Sequence, residues 1–178
     1  SLAPEERGTL LRDIDAIIVW SGEAIGIVRS LFEQHLDLYR DFAHFDTHSL
    51  CLVRSDGALD FYAGGLRARC LDGSTLFDHF DTDRYWDAIV EDVKPWSYMK
   101  FPFLRQLGDA DSGWYRVGPL TRVTQCDFIP TALAERERQE FLAFADGAAT
   151  RATLGFHWAR MIEMLHAAEA IEELLHDD

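Results

Sequence analysis

Three cysteines, Cys51, Cys70 and Cys126, are the residues whose chemistry depends most directly on spacing. Thiolate sites for zinc, nickel or iron–sulfur clusters usually contain C-x-x-C pairs, and no two of these cysteines are close enough to form one. An odd number of cysteines in a reducing compartment indicates reduced side chains that pack as small apolar groups. The sequence therefore predicts that the chain supplies no thiolate ligand to a metal.

The histidines offer two further places for metal or acid–base chemistry. His44 and His48 are four residues apart with Asp46 between them, and imidazole and carboxylate are ordinary metal ligands. This segment lies where the first helix is predicted to end, so we favour a solvated connector. In the last helix, His157 and Arg160 lie beside the apolar stripe and His166 lies further along. We favour a hydrogen-bonded helix histidine for His157 over a general base or ligand.

Two groups of cations stand out in an acidic chain. Arg67 and Arg69 are two residues apart and therefore share one face of a strand. We favour paired surface charges there over contact with an anion or a partner. A second group lies in the middle of the chain: Lys100, Arg105, Arg116 and Arg122. It could meet a partner, but we favour pairing with carboxylates of the chain itself. We predict no catalytic, cofactor-binding or metal-binding residue in this sequence.

Composition limits the classes of function. The chain has 178 residues and a formal net charge of −14, which argues against nucleic acid and anionic membrane surfaces as partners. Nearly half of the residues are hydrophobic (48%), so a folded core is expected. We find no apolar run long enough to span a bilayer and no signal peptide, and we expect a cytoplasmic protein.

Helical spacing predicts the elements that position these residues. Pro4 begins a helix with Ser1 as its cap, and apolar residues keep helical spacing over residues 10–39, to about residue 43. Between Ile14 and Val28 they almost surround the axis, so this helix should have partners on nearly all sides. Further helices are predicted over residues 81–93, 131–144 and 150–176, and the two long terminal helices could pack antiparallel.

The period changes over residues 50–80, which predicts a small antiparallel sheet of three or four strands. Strands at 50–54 and 58–63 should form a hairpin around Asp56-Gly57, and strands at 66–70 and 75–80 should follow. Gly64-Gly65 indicates a bulge or bend, since it neither opens a helix nor belongs to a phosphate-binding motif.

The segment from Trp96 to Arg122 combines many aromatic residues with Pro and Gly. Pro102 and Pro119 each lack a backbone donor, and Gly108, Gly113 and Gly118 favour turns. We expect an ordered irregular segment whose aromatic side chains are buried between helices. The predicted fold class is therefore α+β: two long helices forming part of a helical bundle, a small antiparallel β-sheet, and this ordered segment, all within a single domain of residues 1–178.

Four runs carry a resemblance to a known family. They are G-G-L-R-A-R (64–69), W-S-Y-M-K-F-P-F (96–103), G-W-Y-R-V-G-P-L-T-R (113–122) and F-H-W-A-R-M-I-E-M-L-H-A-A-E (156–169). In this order they resemble the large (alpha) subunit of cytoplasmic nickel–iron hydrogenases, most closely the NAD-linked bidirectional group. The resemblance covers essentially the whole chain.

This resemblance implies a parent enzyme that cleaves dihydrogen reversibly at a nickel–iron centre. Its electrons would pass through a small iron–sulfur subunit to flavin-bearing, NAD(P)-binding diaphorase subunits. The family holds its metals with two C-x-x-C pairs, and neither is present, so we expect an internal fragment that is inactive alone, holds no cofactor and could self-associate. The alternative is a metal-free scaffold or electron-transfer assembly subunit related to the quinone-side subunit of respiratory complex I.

Overall fold

The computed structural model describes residues 2–177, which form two compact units. The first contains residues 2–44 and 128–177, and the second contains residues 45–127. The prediction of a single domain stays a prediction, and the predicted helix cap at Ser1 lies outside the described residues.

The helices are, in chain order, α1 (Pro4–Gln34), α2 (Leu36–Asp41), α3 (Tyr85–Ala88), α4 (Pro119–Gln125), α5 (Ala132–Ala143), α6 (Ala148–Arg151) and α7 (Gly155–His176). The strands are β1 (His48–Val53), β2 (Gly65–Arg69), β3 (Thr75–Phe80), β4 (Ile89–Val93), β5 (Lys100–Leu104) and β6 (Tyr115–Arg116). Short 3-10 turns cover Thr82–Arg84, Arg105–Leu107 and Phe144–Gly147. The α+β prediction is confirmed.

In the first unit, α1 and α7 pack antiparallel, as the sequence predicted. Arg7, near the start of α1, donates to the carbonyl oxygen of Leu175 at the end of α7. At the opposite ends, the rings of Phe32 and Trp158 lie 5.5 Å apart. Phe141 of α5 also contacts Trp158, at 5.3 Å between ring centroids. All three aromatic side chains are fully buried, and they form the centre of this unit's core.

Two helix boundaries differ from the prediction. The first helix is interrupted at His35, whose φ of −133° is not helical, so residues 36–41 form the separate helix α2. The last helix begins at Gly155 and is preceded by the short α6. Helix α5 ends close to the predicted position, because Ala145 and Asp146 adopt positive φ angles that interrupt a right-handed helix.

The second unit contains a four-stranded sheet with the order β3-β2-β1-β6. Strand β1 pairs antiparallel with β2, β2 pairs antiparallel with β3, and β6 lies parallel to β1. Leu50, Ala68 and Leu104 form one buried hydrophobic cluster in this unit. The parallel fourth strand was not predicted, since a two-residue strand leaves no periodic signal.

The predicted strand at residues 58–63 is wrong. The turn at Asp56-Gly57 is present, but beyond it only a single bridge joins Val53 to Leu59. The Asp60 carboxylate then accepts the backbone N–H groups of Tyr62 and Ala63, at 2.6 and 2.8 Å. This side-chain turn competes with strand pairing, so the chain bends away and β2 becomes the partner of β1.

The predicted helix at residues 81–93 is also largely wrong. Asp81 caps a turn of 3-10 helix, since its carboxylate accepts from the Asp83 N–H, but α3 ends at Ala88. Ile89 and Val90 then pair antiparallel with Leu104 and Phe103 in a two-stranded sheet. Pairing across strands outweighs the local helical spacing here, because β-branched residues favour extended backbone when a partner strand is available.

The aromatic segment is ordered, but its aromatic side chains are not generally buried. Trp96 and Tyr98 lie in the turn between β4 and β5 and are 74% and 97% exposed. Pro102 lies within β5 opposite Glu91. A proline is tolerated in a two-stranded sheet because both strands are edge strands, in which every second N–H points to solvent. The expectation of buried aromatics on an irregular backbone is therefore wrong for this turn.

Within residues 2–177, no helix combines the length and the apolar character that crossing a membrane requires.

Candidate functional site

The second unit contains a buried arginine at its centre. Strand β2 carries Arg67, whose side chain is only 4% exposed. Its Nε and Nη2 donate to both carboxylate oxygens of Asp78, at 2.8 and 2.9 Å. Its Nη1 donates to the carboxylate of Asp127, at 2.9 Å, and to the backbone carbonyl of Gln125, at 2.8 Å. The guanidinium therefore joins β2, β3 and the segment after α4.

The ion pair between Arg67 and Asp78 shifts the pKa values of both groups. The hydrogen bond from Arg67 holds the pKa of Asp78 below its usual value, and the Asp78 carboxylate in turn raises the pKa of Arg67. Both groups are charged at neutral pH. Because the guanidinium donors are already directed at carboxylates and a carbonyl, this arginine is suited to holding structure rather than to binding a substrate anion.

The prediction of paired surface charges at Arg67 and Arg69 is therefore wrong for the first and right for the second. Arg67 is buried, whereas the side chain of Arg69 is partly exposed and lies 4.0 Å from Asp127. Arg67 is enclosed by hydrogen bonds to Asp78 and Asp127, whereas Arg69 has only a long contact with Asp127 among its described ion pairs. Spacing along a strand could not reveal which of the two is covered.

Gly64 and Gly65, where the sequence predicted a bulge or bend, are required by close approach of the backbone. A Cβ atom on Gly64 would lie 2.5 Å from the carbonyl oxygen of Val53, and one on Gly65 would lie 2.8 Å from the Cα atom of His79. Neither distance is compatible with a side chain. The glycines thus allow β2 to enter the sheet beside β1 and β3.

A small cavity of about 200 Å³ lies in the same unit. Its lining consists of Leu50, Cys51, Leu52, Asp60, Phe61, Leu66, Val117, Gly118 and Arg122. The Arg122 guanidinium lies over the Phe61 ring at 5.4 Å, and the Asp60 carboxylate already accepts two backbone N–H groups. Burial raises the pKa of the Cys51 thiol to about 12, so this thiol is neutral at physiological pH. The Cys51 thiol in this lining is therefore not a thiolate nucleophile at physiological pH.

The cysteines are free, as predicted. Cys51 and Cys126 are buried and Cys70 is half-buried. Within residues 2–177 there is no group of three or more His, Cys, Asp or Glu side chains arranged to hold a metal ion. The residues present do not fit a nickel–iron centre, which requires several thiolates at one point. That the chain binds no cofactor stays a prediction.

The histidines named in the sequence are not brought into a common site. The Nε2 atom of His48 lies 3.0 Å from the carbonyl oxygen of Ser112, while His44 and Asp46 are exposed. His157 is exposed on α7, whereas His166 is buried with its Nδ1 atom 2.9 Å from the hydroxyl of Thr131. His166 therefore belongs to the packing of α7 against the start of α5.

The described contacts of the four cations in the aromatic segment include a carboxylate, backbone carbonyl groups and aromatic rings. Lys100 pairs with Glu91 at 3.5 Å, which agrees with internal pairing to carboxylates. Arg105 and Arg116 instead donate to backbone carbonyls, those of Trp86 and Phe45 respectively. Arg116 and Arg122 also lie over aromatic rings. The predicted pairing with carboxylates of the chain is confirmed for Lys100, and the described contacts of the arginines add backbone carbonyls and rings to it.

One polar group that the sequence did not reveal is Glu169 on α7. Its two carboxylate oxygens accept the backbone N–H groups of Leu133 and Ala134, at 2.8 and 2.9 Å. The first N–H groups of a helix have no partner within the helix, and its N-terminus favours negative charge. Glu169 thus caps α5 from a neighbouring helix. A signal was available, because Glu163, His166 and Glu169 recur every three residues among apolar positions.

Comparison with known proteins shows that this chain is similar to subunits of hydrogenases. No protein-family model matches this chain. The chain is 38% identical over 167 residues to the NAD-reducing hydrogenase HoxS subunit beta of Cupriavidus necator, across 94% of its own length and 34% of the relative's. It is 37% identical over 177 residues to a subunit of the F420-non-reducing hydrogenase vhu of Methanococcus voltae, across 99% of its own length and 41% of the relative's.

The fold agrees with a solved hydrogenase structure. The crystal structure of an NAD+-reducing [NiFe]-hydrogenase in the H2-reduced state superimposes with a TM-score of 0.94 and 45% sequence identity, across 99% of this chain and 39% of that chain. The chain therefore spans about two fifths of the length of the relatives it matches.

The names of these relatives correct one expectation from the sequence. The resemblance indicated a large (alpha) subunit, whereas the relative from Cupriavidus necator is named subunit beta. A further relative, from Archaeoglobus profundus, is named as an iron-sulfur subunit of an F420-non-reducing hydrogenase and is 31% identical over 147 residues. The assignment to the large subunit is thus wrong, and what stands is similarity to hydrogenase subunits of the NAD-reducing and F420-non-reducing kinds.

Proposed function

We propose that this chain is a structural segment of a hydrogenase subunit within a multi-subunit oxidoreductase. The parent enzyme would oxidise H2 reversibly and pass the electrons through iron–sulfur subunits to NAD(P). The observation that carries the proposal is the agreement with the NAD+-reducing [NiFe]-hydrogenase chain over 99% of this chain, at 45% identity. At that identity and coverage, we infer that the segment occupies an equivalent place in a longer polypeptide.

The described side chains support a scaffold role for this segment. The buried arginine Arg67 has its donors directed at Asp78, Asp127 and a backbone carbonyl. Glu169 caps a helix, and the buried thiol of Cys51 is neutral. Each of these groups stabilises the unit that contains it, and none of them is placed to act on H2 as an acid, a base or a thiolate. Ligands for a nickel–iron centre would come from other parts of the parent complex.

The proposed partners are the subunits that carry electrons away from hydrogen oxidation. They comprise one subunit with iron–sulfur clusters and others that carry flavin and bind NAD. Support comes from the names of the relatives, one of which belongs to an NAD-reducing hydrogenase. The net charge of −14 gives no support to nucleic acid or an anionic membrane surface as a partner.

The first experiment is to sequence the gene on both sides of these codons. We expect one open reading frame that continues well beyond the 178 residues and encodes C-x-x-C pairs outside them. Stop and start codons directly against the two ends would contradict the proposal and would favour a metal-free scaffold or assembly subunit.

The second experiment measures activity and metal content. The tagged parent polypeptide, co-expressed with its neighbouring genes, should support H2-dependent reduction of benzyl viologen and NAD+. The 178-residue chain alone should show neither activity nor stoichiometric nickel. One nickel per isolated chain would overturn the scaffold role, and a parent complex without hydrogen-dependent reduction would overturn the hydrogenase assignment.

A further inference from the structure

Helix α1 carries an apolar face that the described residues leave exposed. Leu10, Ile17, Ala24 and Leu31 follow one another at intervals of seven residues. Trp20 and Ile27 repeat with the same interval, three residues after Ile17 and Ala24. These are positions a and d of a heptad, which form the contact line between two helices in a coiled coil. We call these six residues the α1 seam.

The seam is exposed along most of the helix. Trp20 and Ile27 are 63% and 65% exposed, Leu10, Ile17 and Leu31 are each about 40% exposed, and Ala24 is half-buried. Helix α1 has 31 residues and is therefore about 46 Å long. The seam covers residues 10–31, which is about 32 Å of this helix. Five large exposed apolar side chains along one line of a helix are uncommon on a protein surface without a partner and mark a binding site.

The seam is distinct from the face that α1 already uses. Ile14, Ser21, Ile25 and Phe32 are buried, and Phe32 contacts Trp158 of α7. Each of these buried residues directly follows an a or d position of the heptad, namely position 13, 20, 24 or 31. Consecutive residues of a helix point in different directions, so the buried face and the seam lie side by side on α1. Helix α1 therefore has one occupied apolar face and one open apolar face. Such a helix belongs in a bundle with at least one more member.

Charge argues against a second copy of this chain as the partner. Each copy has a formal net charge of −14, so two copies repel each other. A two-fold axis through the middle of the seam would also bring the exposed Glu23 of one copy close to Glu23 of the other. A partner without these acidic groups is favoured.

Chain length indicates where that partner comes from. The relatives extend well beyond the matched segment, since the chain covers only 34% and 41% of the two relatives compared above. We propose that the α1 seam is the docking site for a helix of the same, longer polypeptide, with its own apolar residues at positions a and d. This proposal rests on the proposed function, because it requires that a longer polypeptide exists.

The test compares labelling of single introduced cysteines in the short chain and in the parent polypeptide. Ile27→Cys and Trp20→Cys lie on the seam. Val19→Cys is the matched control, because Val19 is 58% exposed on the same helix but outside the seam. Maleimide labelling of the α1 peptide is followed by mass spectrometry, so native cysteines do not interfere. At low concentration, all three variants of the short chain should label at similar rates.

In the parent polypeptide, labelling of the two seam positions should slow at least about tenfold, while the Val19→Cys control labels as before. Equal labelling of seam and control would overturn the proposal. Protection of the seam that disappears on dilution would also overturn it, because it identifies a second copy as the occupant. A reading frame that ends with this chain would contradict the proposed function. Sequencing of the gene detects that outcome independently of the labelling experiment.

Discussion

At the scale of single residues, Arg67 shows how one side chain can hold three segments together. Five hydrogen bonds connect its guanidinium with Asp78, Asp127 and the carbonyl of Gln125. A lysine cannot reproduce this arrangement, because its single ammonium group lacks the planar fork that binds a carboxylate through two bonds. The two aspartates are partly exposed, which lowers the stabilisation expected from the pair relative to a fully buried one.

We therefore expect Arg67→Ala to lower the free energy of unfolding by about 2–3 kcal/mol, and Arg67→Lys by about 1–2 kcal/mol. The matched control is Arg54→Lys, since Arg54 also binds an aspartate, Asp56, through two bonds but on the exposed surface. That control should change the free energy by less than about 0.5 kcal/mol. Urea denaturation followed by circular dichroism gives all three values. Equal losses for Arg67→Lys and Arg54→Lys would contradict a structural role for the buried guanidinium.

The same pair predicts a pH dependence of stability. The pKa of Asp78 is lowered in the folded protein, chiefly by its hydrogen bond with Arg67. A lowered carboxyl pKa stabilises the fold above the unfolded value of about 3.9, and this contribution is lost as pH falls through the folded pKa. Between about pH 6 and pH 3, the free energy of unfolding should fall less steeply in Asp78→Asn than in the unmodified chain. Asp83→Asn, an exposed substitution, should keep the original slope.

At the scale of elements, helix α5 depends on a cap that comes from another helix. Glu169→Ala removes the acceptor for the N–H groups of Leu133 and Ala134, and it should lower the free energy of unfolding by about 1–3 kcal/mol. Glu169→Gln keeps one acceptor oxygen and should cost less. Glu173→Ala, at an exposed position of the same helix, is the control and should be nearly neutral. If all three variants denature at the same urea concentration, the cap does not stabilise α5.

Glycines in a strand and in a helix should respond in opposite directions to the same substitution. Gly65→Ala would place a Cβ atom 2.8 Å from the His79 backbone, so it should destabilise the second unit by about 1–3 kcal/mol. Gly22 in α1 has no atom within 4 Å of its added Cβ, so Gly22→Ala should stabilise the chain by about 0.5–1 kcal/mol. Thermal unfolding of both variants measures the two signs. A stabilising Gly65→Ala would mean that β2 and β3 do not approach as described.

At the scale of the whole molecule, the open α1 seam predicts behaviour of the isolated chain. Without the helix that would cover the seam, the 178-residue chain should self-associate despite its net charge, and more so at high salt, where repulsion is screened. Sedimentation velocity over roughly a hundredfold range of concentration measures this. Ile27→Lys should shift the distribution towards monomer more than Val19→Lys does. A strictly monomeric chain at the highest concentration would contradict the prediction.

Features that depend on neighbouring residues could be predicted from the sequence. Helical spacing located α1, α5 and α7, because one turn of helix involves only a few consecutive positions. Asp56-Gly57 predicted the turn after β1 because Gly57 readily adopts the positive φ required there. The net charge argued against nucleic acid and anionic membrane surfaces as partners, and the cysteine spacing argued against a thiolate metal site. The runs that resemble hydrogenases agree with the relatives to which the chain is similar, although they indicated the wrong subunit.

Features that join distant residues required the tertiary structure. Asp127 meets Arg67 from 60 positions away, and Glu169 reaches α5 from 35 positions beyond Ala134. Ile89 and Val90 became a strand because β5 was available to pair with them. In each case the stabilising free energy comes from a contact with a residue that is distant in the sequence. Secondary-structure propensity and hydrophobic periodicity depend on neighbouring residues, so they could not predict it. The open seam of α1 belongs to both kinds: its apolar residues are visible in the sequence, and only the fold shows which of them are left uncovered.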